Sequence, residues 1–540
     1  MIVRVETMAR ARALTSEDSG GCRFVISLPL WSRRLRAGPL ALLLLLSAFV
    51  LTGVAWQRGA EYDEGYTVFL VSGVPRPDWP ATPFYAGDER GVFDGSSTPL
   101  RIVHDLRAND VHPPLYFWAA AGWRALFGPD LFVLRLFSVL CGVATLALVA
   151  GLAAEVGVPP LVAMLLTLGC YGFSYTEAVT RDFTLAELLT AAGVWMLVVA
   201  ARRGGMLLAL AGGLALGLAS FANYLTSFVA AASLLWLLVR AWRRPSVWLP
   251  AGIGFAALLP ADLFFFLAQR GSRDGQFPPF HLLPSIARLA QYTAANVFGG
   301  LPLYAGGALR WALGGGLALA LVGLVLLIAA RWRQVGQPDT RRLLALAAVA
   351  PPVGLIALGM VFDNTPIELR YIAYATPFFA MLLAGAFASL PPARGAALLV
   401  LVLALQAASL VGLARMPQTM QPQAAATHLA AALAGPDGLV LIPRGNDGVG
   451  VVGAVIQSAP DWLRLLVVPR DAPAEAIRAR VGAAPKVVLA LIAVDDDSRA
   501  TLPQMEALFR DHPCWRETVR EPLAVAFART AACAPTAGVQ

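Results

Sequence analysis

The chain has 540 residues, of which 58% are hydrophobic and 14% are charged, and its mean hydropathy is +0.65. A soluble domain of this size cannot bury so much apolar surface, so these values predict a protein that crosses a membrane many times. The net charge of +8 does not indicate a nucleic-acid partner, because the arginines are dispersed at the ends of apolar runs. The five cysteines lack CxxC spacing, which argues against a zinc or haem site.

The first apolar run extends from Ala37 to Trp56 and is long enough to span a bilayer. Residues 1–36 before it are polar, with several arginines next to the run. No small-residue cleavage site follows it convincingly. We therefore predict an uncleaved anchor and a cytoplasmic N-terminal tail over 1–36.

The segment from Pro113 to Gly128 is apolar but short, and it contains Trp118, Trp123 and Arg124. These side chains prefer the headgroup region, so we predict an interfacial helix rather than a span.

The resulting fold class is an all-α polytopic membrane protein with about 11 transmembrane helices. Ten arginines fall in the four short loops that this arrangement places inside, whereas three short outer loops contain only Arg181 and Arg370. After the first span, the predicted spans lie near 131–153, 159–178, 183–201, 206–224, 226–240, 246–268, 311–330, 343–361, 371–390 and 395–413.

The transmembrane domain therefore covers 37–415, with outer loops at 58–130 and 270–310. Residues 416–540 alternate short β-like runs with helical patterns and predict a small outer α/β domain. Within it, Gly445–Gly450 lacks the lysine and the spacing of a phosphate-binding loop, so an ordinary turn is the favoured interpretation.

Two adjacent carboxylates, Asp63 and Glu64, follow the first span and are flanked by Tyr62 and Tyr66. A lone acid there would be read as part of a solvated helix end, but an acid pair among aromatic residues favours a functional site. One carboxylate can act as a general base on a hydroxyl group. The other can orient a sugar or hold a divalent metal, which makes Asp63 and Glu64 the candidate metal ligands.

His112 precedes Pro113 and Pro114, and two interpretations stay open. The prolines can simply begin a helix that His112 caps, or His112 can belong to the site.

Arg181 and Arg370 each stand alone at the predicted outer end of a span, where arginine is disfavoured. A guanidinium at this level can bind a phosphate at headgroup depth. The alternative for Arg181 is a salt bridge with Glu177 at i, i+4 spacing. Several polar residues lie at the same membrane level and are often functional there: Asn223, Tyr224, Asp363, Asn364, Tyr371 and Tyr374.

Taken together, the motifs over residues 40–390 resemble glycosyltransferase family 39, the dolichyl-phosphate-mannose-protein mannosyltransferase-like enzymes. The resemblance is to the bacterial branch whose donors are polyprenyl-phosphate sugars, such as the aminoarabinose and galacturonic acid transferases. It rests on Asp63-Glu64, on His112–Tyr116 running into Trp123–Gly128 and Leu134–Ser138, on Arg181–Leu185, and on Arg370-Tyr371 with Pro377.

This resemblance implies a type C glycosyltransferase fold, two amphipathic helices in the first outer loop, and a periplasmic active site. It assigns the catalytic base to Asp63 and matches Glu64 to the second acid of the motif. A phosphate of the donor would lie near Arg181, Arg370 and His112, and the sugar would contact Tyr66, Tyr116, Asn223, Tyr224 and Tyr371.

The implied reaction transfers a sugar with inversion from a polyprenyl phosphate to a lipid, polysaccharide or protein, at the bacterial inner membrane. Phe183, Gly65 and the insertion over 78–107 depart from the family pattern and leave the sugar and the acceptor open. Two other functions stay open. An oligosaccharide ligase would use a pyrophosphate-linked donor, and a transporter or flippase would move a lipid-linked sugar.

Cys514 and Cys533 both fall in the predicted outer domain. A hairpin or a neighbouring strand between them can bring their Cα atoms within reach of a disulfide, which an oxidising compartment would preserve. We predict this bridge.

Overall fold

The computed structural model describes residues 31–32, 36–270, 277–418 and 420–533. The predicted cytoplasmic tail, residues 1–36, falls almost entirely outside the described residues. The described chain forms a bundle of apolar helices followed by a domain built on one sheet. Its helices are α1 Ala37–Gln57, α2 Tyr62–Ser72, α3 Pro99–Asn109, α4 Leu115–Phe127, α5 Leu131–Val156, α6 Pro160–Gly169, α7 Tyr171–Thr176, α8 Phe183–Arg203, α9 Met206–Ser220, α10 Ser227–Ala241, α11 Pro245–Ala256, α12 Leu259–Gln269, α13 Leu282–Val297, α14 Gly307–Ala330, α15 Pro338–Phe362, α16 Thr376–Ala388, α17 Pro392–Arg415, α18 Gln423–Ala434, α19 Gly450–Ser458, α20 Ala474–Val481 and α21 Asp496–Arg510.

Nine helical segments of the described chain are long and apolar enough to cross a membrane. The predicted spans at 159–178 and 206–224 are shorter in the structure: the first is divided into α6 and α7, and the second is α9. The predicted span at 246–268 breaks between α11 and α12. The polytopic helical fold is thereby confirmed, with two of its predicted spans as short apolar helices.

The outer surface of the bundle is apolar, as a lipid-facing surface must be. On α14, Leu319 and Leu326 are exposed, and so is Val361 at the end of α15. The helix α4, which lies within the predicted interfacial segment, has 13 residues and is too short to cross a bilayer. It packs against α2 and α5.

The C-terminal α/β domain is confirmed as a six-stranded sheet in the order β1-β3-β2-β4-β6-β5. The strands β2, β3 and β4 are parallel, and β2 is buried along its whole length, as expected for a sheet covered by helices on both faces. The strand bounds are β1 Phe84–Tyr85, β2 Leu439–Pro443, β3 Arg464–Val468, β4 Lys486–Ala490, β5 Trp515–Glu521 and β6 Ala524–Arg529.

The strand β1 comes from the first outer loop rather than from the tail, and it pairs antiparallel with β3. The sequence analysis did not predict this pairing. One hydrophobic cluster joins residues of α2 and α4 to the inner face of the sheet, so the first outer loop and the C-terminal domain share a core. The domain is thus held against the outer end of the bundle, where α2 begins.

The predicted disulfide is confirmed. Cys514 and Cys533 are bonded, with their Cα atoms 5.2 Å apart. Cys514 directly precedes β5, and Cys533 follows β6, so the antiparallel hairpin brings the two residues together.

Candidate active site

A cavity of about 560 Å³ lies between the outer ends of the membrane helices and the C-terminal domain. Asp63 lines it together with Arg181, Arg288 and Arg370 from the helical side. The loops predicted on the outer side of the membrane thus meet around one site, although they are up to several hundred residues apart in the chain.

Asp63 lies in the first turn of α2, which begins five residues after α1 ends. A reciprocal capping box fixes this start: the Glu61 side chain accepts from the Glu64 backbone, and the Glu61 backbone donates to Glu64. The Asp63 side chain is 14% exposed and faces the cavity, so water or a substrate can reach it.

Glu64 faces away from the cavity and is 1% exposed. Its carboxylate accepts from Arg135 Nε at 2.7 Å and from the Thr180 backbone at 3.0 Å. The same Arg135 guanidinium donates to the carbonyls of Ala55, in the last turn of α1, and of Arg58 and Gly59, between α1 and α2. The structure does not place Glu64 at the cavity, because consecutive helical residues point about 100° apart, and its carboxylate holds the start of α2 instead.

Arg370 lies beside Asp63 and forms ion pairs with Asp63 and with Glu368. Its guanidinium also stands over the Tyr371 ring, 5.6 Å from the centroid. The predicted phosphate-binding residue and the predicted base are thus brought together in this structure, and they neutralise each other.

His112 and Arg181 form a second charged cluster at the edge of the cavity. The His112 Nδ1 atom is 2.6 Å from Asp110 Oδ1 and 3.4 Å from Arg181 Nη2, and its Nε2 atom is 3.8 Å from Asp182. Burial opposes the ionised form of Asp110, but His112 and Arg181 lower the pKa of this carboxyl below its ordinary range. Asp110 is therefore a carboxylate at neutral pH.

The structure shows neither of the two structural alternatives, a helix cap formed by His112 and a salt bridge between Arg181 and Glu177. Pro114, not His112, is the N-cap of α4, and no side chain caps that helix. Arg181 pairs with Asp182 at 3.7 Å, whereas Glu177 accepts from Thr184.

A smaller cavity of about 220 Å³ adjoins the first, and Val111 and Phe277 line both. It lies between α12 and α15 and has an apolar lining that includes Phe266, Leu355 and Phe362. His112 lies at the end of this second cavity that is nearest to Arg181.

The predicted sugar-binding residues divide among three places. Asn223, Tyr224 and Tyr371 line the second cavity, where the Asn223 amide donates to Asp182 at 2.6 Å and the Tyr224 hydroxyl donates to Gln269 at 3.0 Å. Tyr66 lines the first cavity. Tyr116 lines neither cavity, because it is fully buried with its hydroxyl 2.9 Å from that of Thr180.

The C-terminal domain contributes residues that the sequence analysis missed. Asn446 and Asp447, from the loop interpreted as an ordinary turn, line the first cavity together with Asp495, Asp496 and Arg499. One signal in the sequence indicates such a site: these loops follow the β-like runs that form β2 and β4. The carboxyl ends of neighbouring parallel strands meet at one edge of a sheet, where ligands bind.

The residues present do not fit the metal site that the sequence analysis allowed. Asp63 is paired with Arg370 and Glu64 with Arg135. Within the described ranges, no group of three or more His, Cys, Asp or Glu side chains could hold a metal ion.

A model of the dolichyl-phosphate-mannose-protein mannosyltransferase family matches residues 111–263. Among solved structures, ArnT from Cupriavidus metallidurans bound to undecaprenyl phosphate is similar to the chain, with 14% identity, 93% of this chain and 100% of that chain covered, and a TM-score of 0.46. The arabinofuranosyltransferase AftD from Mycobacteria has 15% identity over 93% of this chain and 40% of its own, with a TM-score of 0.43. The Pmt1-Pmt2 protein O-mannosyltransferase complex of S. cerevisiae has 18% identity over 44% of this chain and 32% of its own, with a TM-score of 0.29.

No curated protein sequence matches the chain significantly. The family match agrees with the resemblance predicted from the motifs. It falls on the segment that contains His112–Tyr116 and Arg181–Leu185, two of the blocks on which that resemblance rests.

Proposed function

We propose that the protein is a membrane glycosyltransferase that moves a sugar from a polyprenyl-phosphate donor to a hydroxyl group of a lipid, polysaccharide or protein acceptor, with inversion at the anomeric carbon. The observation that carries the proposal is that the accessible carboxylate of Asp63 lies within a cavity that also holds Arg181 and Arg370. The apolar second cavity adjoins this site on the membrane side.

The two cavities suit the two ends of such a donor. The isoprenoid units next to the phosphate would occupy the apolar cavity between α12 and α15, which is lined by Phe266, Leu355 and Phe362. The phosphate would lie at the junction, near Arg181 and His112, because an arginine offers a planar set of donors to phosphate oxygens. The sugar would then project into the larger cavity towards Asp63.

In the reaction, Asp63 removes the proton of the acceptor hydroxyl as its oxygen attacks the anomeric carbon. The new bond joins that oxygen to the anomeric carbon, and the bond from this carbon to the phosphate oxygen breaks. Polyprenyl phosphate leaves with the electron pair. Arg181 and Arg370 stabilise the charge that develops on the departing phosphate.

Asp63 can act as a base only after Arg370 releases it. The donor phosphate supplies the competing negative charge, since Arg370 lies between Asp63 and Glu368 at the wall of the cavity. Binding of the donor therefore draws Arg370 towards the phosphate and frees the carboxylate for the acceptor.

We place the site on the periplasmic side of a bacterial inner membrane. A disulfide persists in an oxidising compartment, and the Cys514–Cys533 bridge lies in the domain that forms one wall of the cavity. The arginine-rich loops lie together elsewhere: Arg202 donates to Glu155 and Gln337, and Arg244 donates to the Ala201 carbonyl. This grouping supports a cytoplasmic position for those loops.

The test is sugar transfer in membranes that contain the protein. Radiolabelled undecaprenyl-phosphate sugars with a neutral hexose, an amino pentose or a uronic acid are incubated with these membranes, and the products are separated by thin-layer chromatography. We expect label to leave the lipid phosphate for an acceptor, and Asp63→Asn to lower this turnover by about two orders of magnitude or more, because a general base contributes about 10²–10⁴-fold.

Asp339→Asn is the matched control, since Asp339 is an exposed carboxylate that also pairs with an arginine, Arg240, far from the cavity. Near-normal turnover of Asp63→Asn would move the base elsewhere. Label that crosses the membrane while it stays on the lipid phosphate would indicate a flippase, and transfer from pyrophosphate-linked donors alone would indicate a ligase.

A further inference from the structure

We propose that two loops of the C-terminal domain, 444–449 and 493–499, form the acceptor subsite, and that this subsite takes a hydroxylated sugar that carries no phosphate. The inference rests on the proposed function and names the acceptor class for the same site. Three observations support the proposal: the loops line the cavity, they are bonded to the helix that holds Asp63, and their charged side chains are paired.

The loops form the wall of the 560 Å³ cavity that faces the helical side. The first follows β2 and the second follows β4, and these parallel strands are hydrogen-bonded neighbours. The donor reaches the cavity from the membrane side, past Arg181, so the opposite wall is left for the molecule that attacks. Asn446 and Asp496 are exposed on that wall.

The loops are attached to α2, the helix that holds Asp63. Tyr62 and Tyr66, on either side of Asp63 in the chain, donate hydrogen bonds to Asp495 at 3.1 Å and to Asp447 at 3.0 Å. The helix α19, which begins at Gly450, packs closely against α2. A Cβ atom at Gly450 would lie only 2.4 Å from the Tyr62 ring. This close packing sets the distance between Asp63 and the opposite wall.

Asp447 and Asp495 therefore position the wall, and other residues are left to bind a ligand. Asp495 also accepts from the backbone of Asn446 and of Ser498. The side chains of Asn446, Asp496 and Arg499 line the cavity and can exchange hydrogen bonds with sugar hydroxyls, because amides, carboxylates and guanidinium groups supply both acceptors and donors.

The charge on this wall disfavours a phosphate. Among the described residues, two arginines of this wall line the cavity, and both are already paired: Arg76 with Asp447 at 3.1 Å, and Arg499 with Asp496 at 2.5 Å. Arg444, in the first loop, does not line the cavity. Asp495 adds a further carboxylate. A phosphorylated acceptor would have to break one of these pairs next to like charges, whereas a hydroxylated sugar can bind with the pairs intact.

The first experiment measures transfer rates of the double variant Asn446→Ala/Asp496→Ala against donor and acceptor concentrations. We expect the acceptor KM to rise about tenfold or more, since two polar contacts are lost, while the donor KM and the slow hydrolysis of the donor by water stay within about twofold. The control is Asp471→Ala, an exposed carboxylate of the same domain outside the cavity.

An unchanged acceptor KM in the double variant overturns the subsite, and so does an equal rise in the donor KM. The two failures can be told apart. If the wild-type protein neither transfers nor hydrolyses any lipid-phosphate sugar, the proposed function is wrong, whereas normal wild-type transfer with an unchanged acceptor KM in the variant rules out only the subsite.

The second experiment identifies the acceptor class. The labelled product from the membrane assay is purified and digested, and the acceptor sugar at the new linkage is analysed by mass spectrometry. We expect this sugar to be free of phosphate. A phosphate on that sugar overturns the proposed acceptor class.

Discussion

The two carboxylates Asp63 and Glu64 have different environments although they are adjacent in the sequence. Asp63 faces the cavity, while Glu64 is enclosed with Arg135. The Arg135 guanidinium makes hydrogen bonds to Glu64 and to three carbonyls of the α1–α2 connection, so this ion pair sets where Asp63 stands. Of the two adjacent acids, one is thus accessible from the cavity and the other is used to hold the backbone.

Glu64→Ala is expected to destabilise the fold, because it leaves the Arg135 charge buried without its partner. Removal of one member of a buried ion pair costs about 3–5 kcal/mol. Thermal unfolding of the detergent-solubilised protein measures the effect, with Asp63→Asn as the comparison at an accessible site. Equal melting temperatures for Glu64→Ala and the wild type would contradict this role.

Arg370→Gln is expected to reduce turnover about 10²-fold or more, because removal of one electrostatic stabiliser of a transition state has effects of this size. Arg310→Gln is the control, since Arg310 is an exposed arginine of the same outer region that does not line the cavity. Initial rates with saturating donor measure the loss. Unchanged turnover in Arg370→Gln would show that the ion pair with Asp63 has no part in the reaction.

At the scale of elements, α2 is the connection between the two halves of the molecule. Its capped start follows directly from α1, and its tyrosines bond to the loops after β2 and β4. The strand β1, from the loop that follows α2, adds an antiparallel strand to the C-terminal sheet. The helix α2 and the domain therefore form one packed unit.

The Cys514–Cys533 bridge is expected to stabilise the last hairpin. A closed loop of this length contributes about 3 kcal/mol in the chain-entropy model, so Cys514→Ser should lower the melting temperature of the domain. Mass spectrometry of the unreduced, alkylated protein checks the bridge, with the buried thiols Cys141 and Cys170 as internal controls. Full alkylation of both Cys514 and Cys533 without reductant would contradict it and weaken the periplasmic placement.

At the scale of the whole molecule, one end gathers Asp63, His112 and the ion-paired Arg181 and Arg370, and the other gathers the arginine-rich loops. This polarity agrees with the positive-inside rule, under which arginine-rich loops stay on the cytoplasmic side. The site consequently lies between the outer ends of the helices and the domain that covers them.

Reporter fusions test this orientation. Fusions at Gly87 and Gly438 are expected to report the periplasm, and fusions at Gly204, Gln337 and Gly395 the cytoplasm. A further position, Gly275, lies outside the described residues. A periplasmic signal at Gly204 would show that 113–128 crosses the membrane, and the proposed orientation would be wrong.

The amino-acid sequence by itself determined the features that depend on local energetics. The apolar helices, the strands of the tail and the shortness of α4 follow from hydropathy, length and side-chain periodicity, which are properties of neighbouring residues. The blocks around Asp63, His112, Arg181 and Arg370 were expected to meet, because each was predicted at the same membrane level.

Only the tertiary structure decided which of these residues face one another. The pairings Glu64–Arg135, Tyr66–Asp447 and β1–β3 join segments from 71 to about 381 residues apart. No local pattern encodes such contacts, since they form when whole helices and strands pack and their buried polar groups find partners. For that reason the accessible acid, Asp63, could be distinguished from the buried acid, Glu64, only in the folded chain.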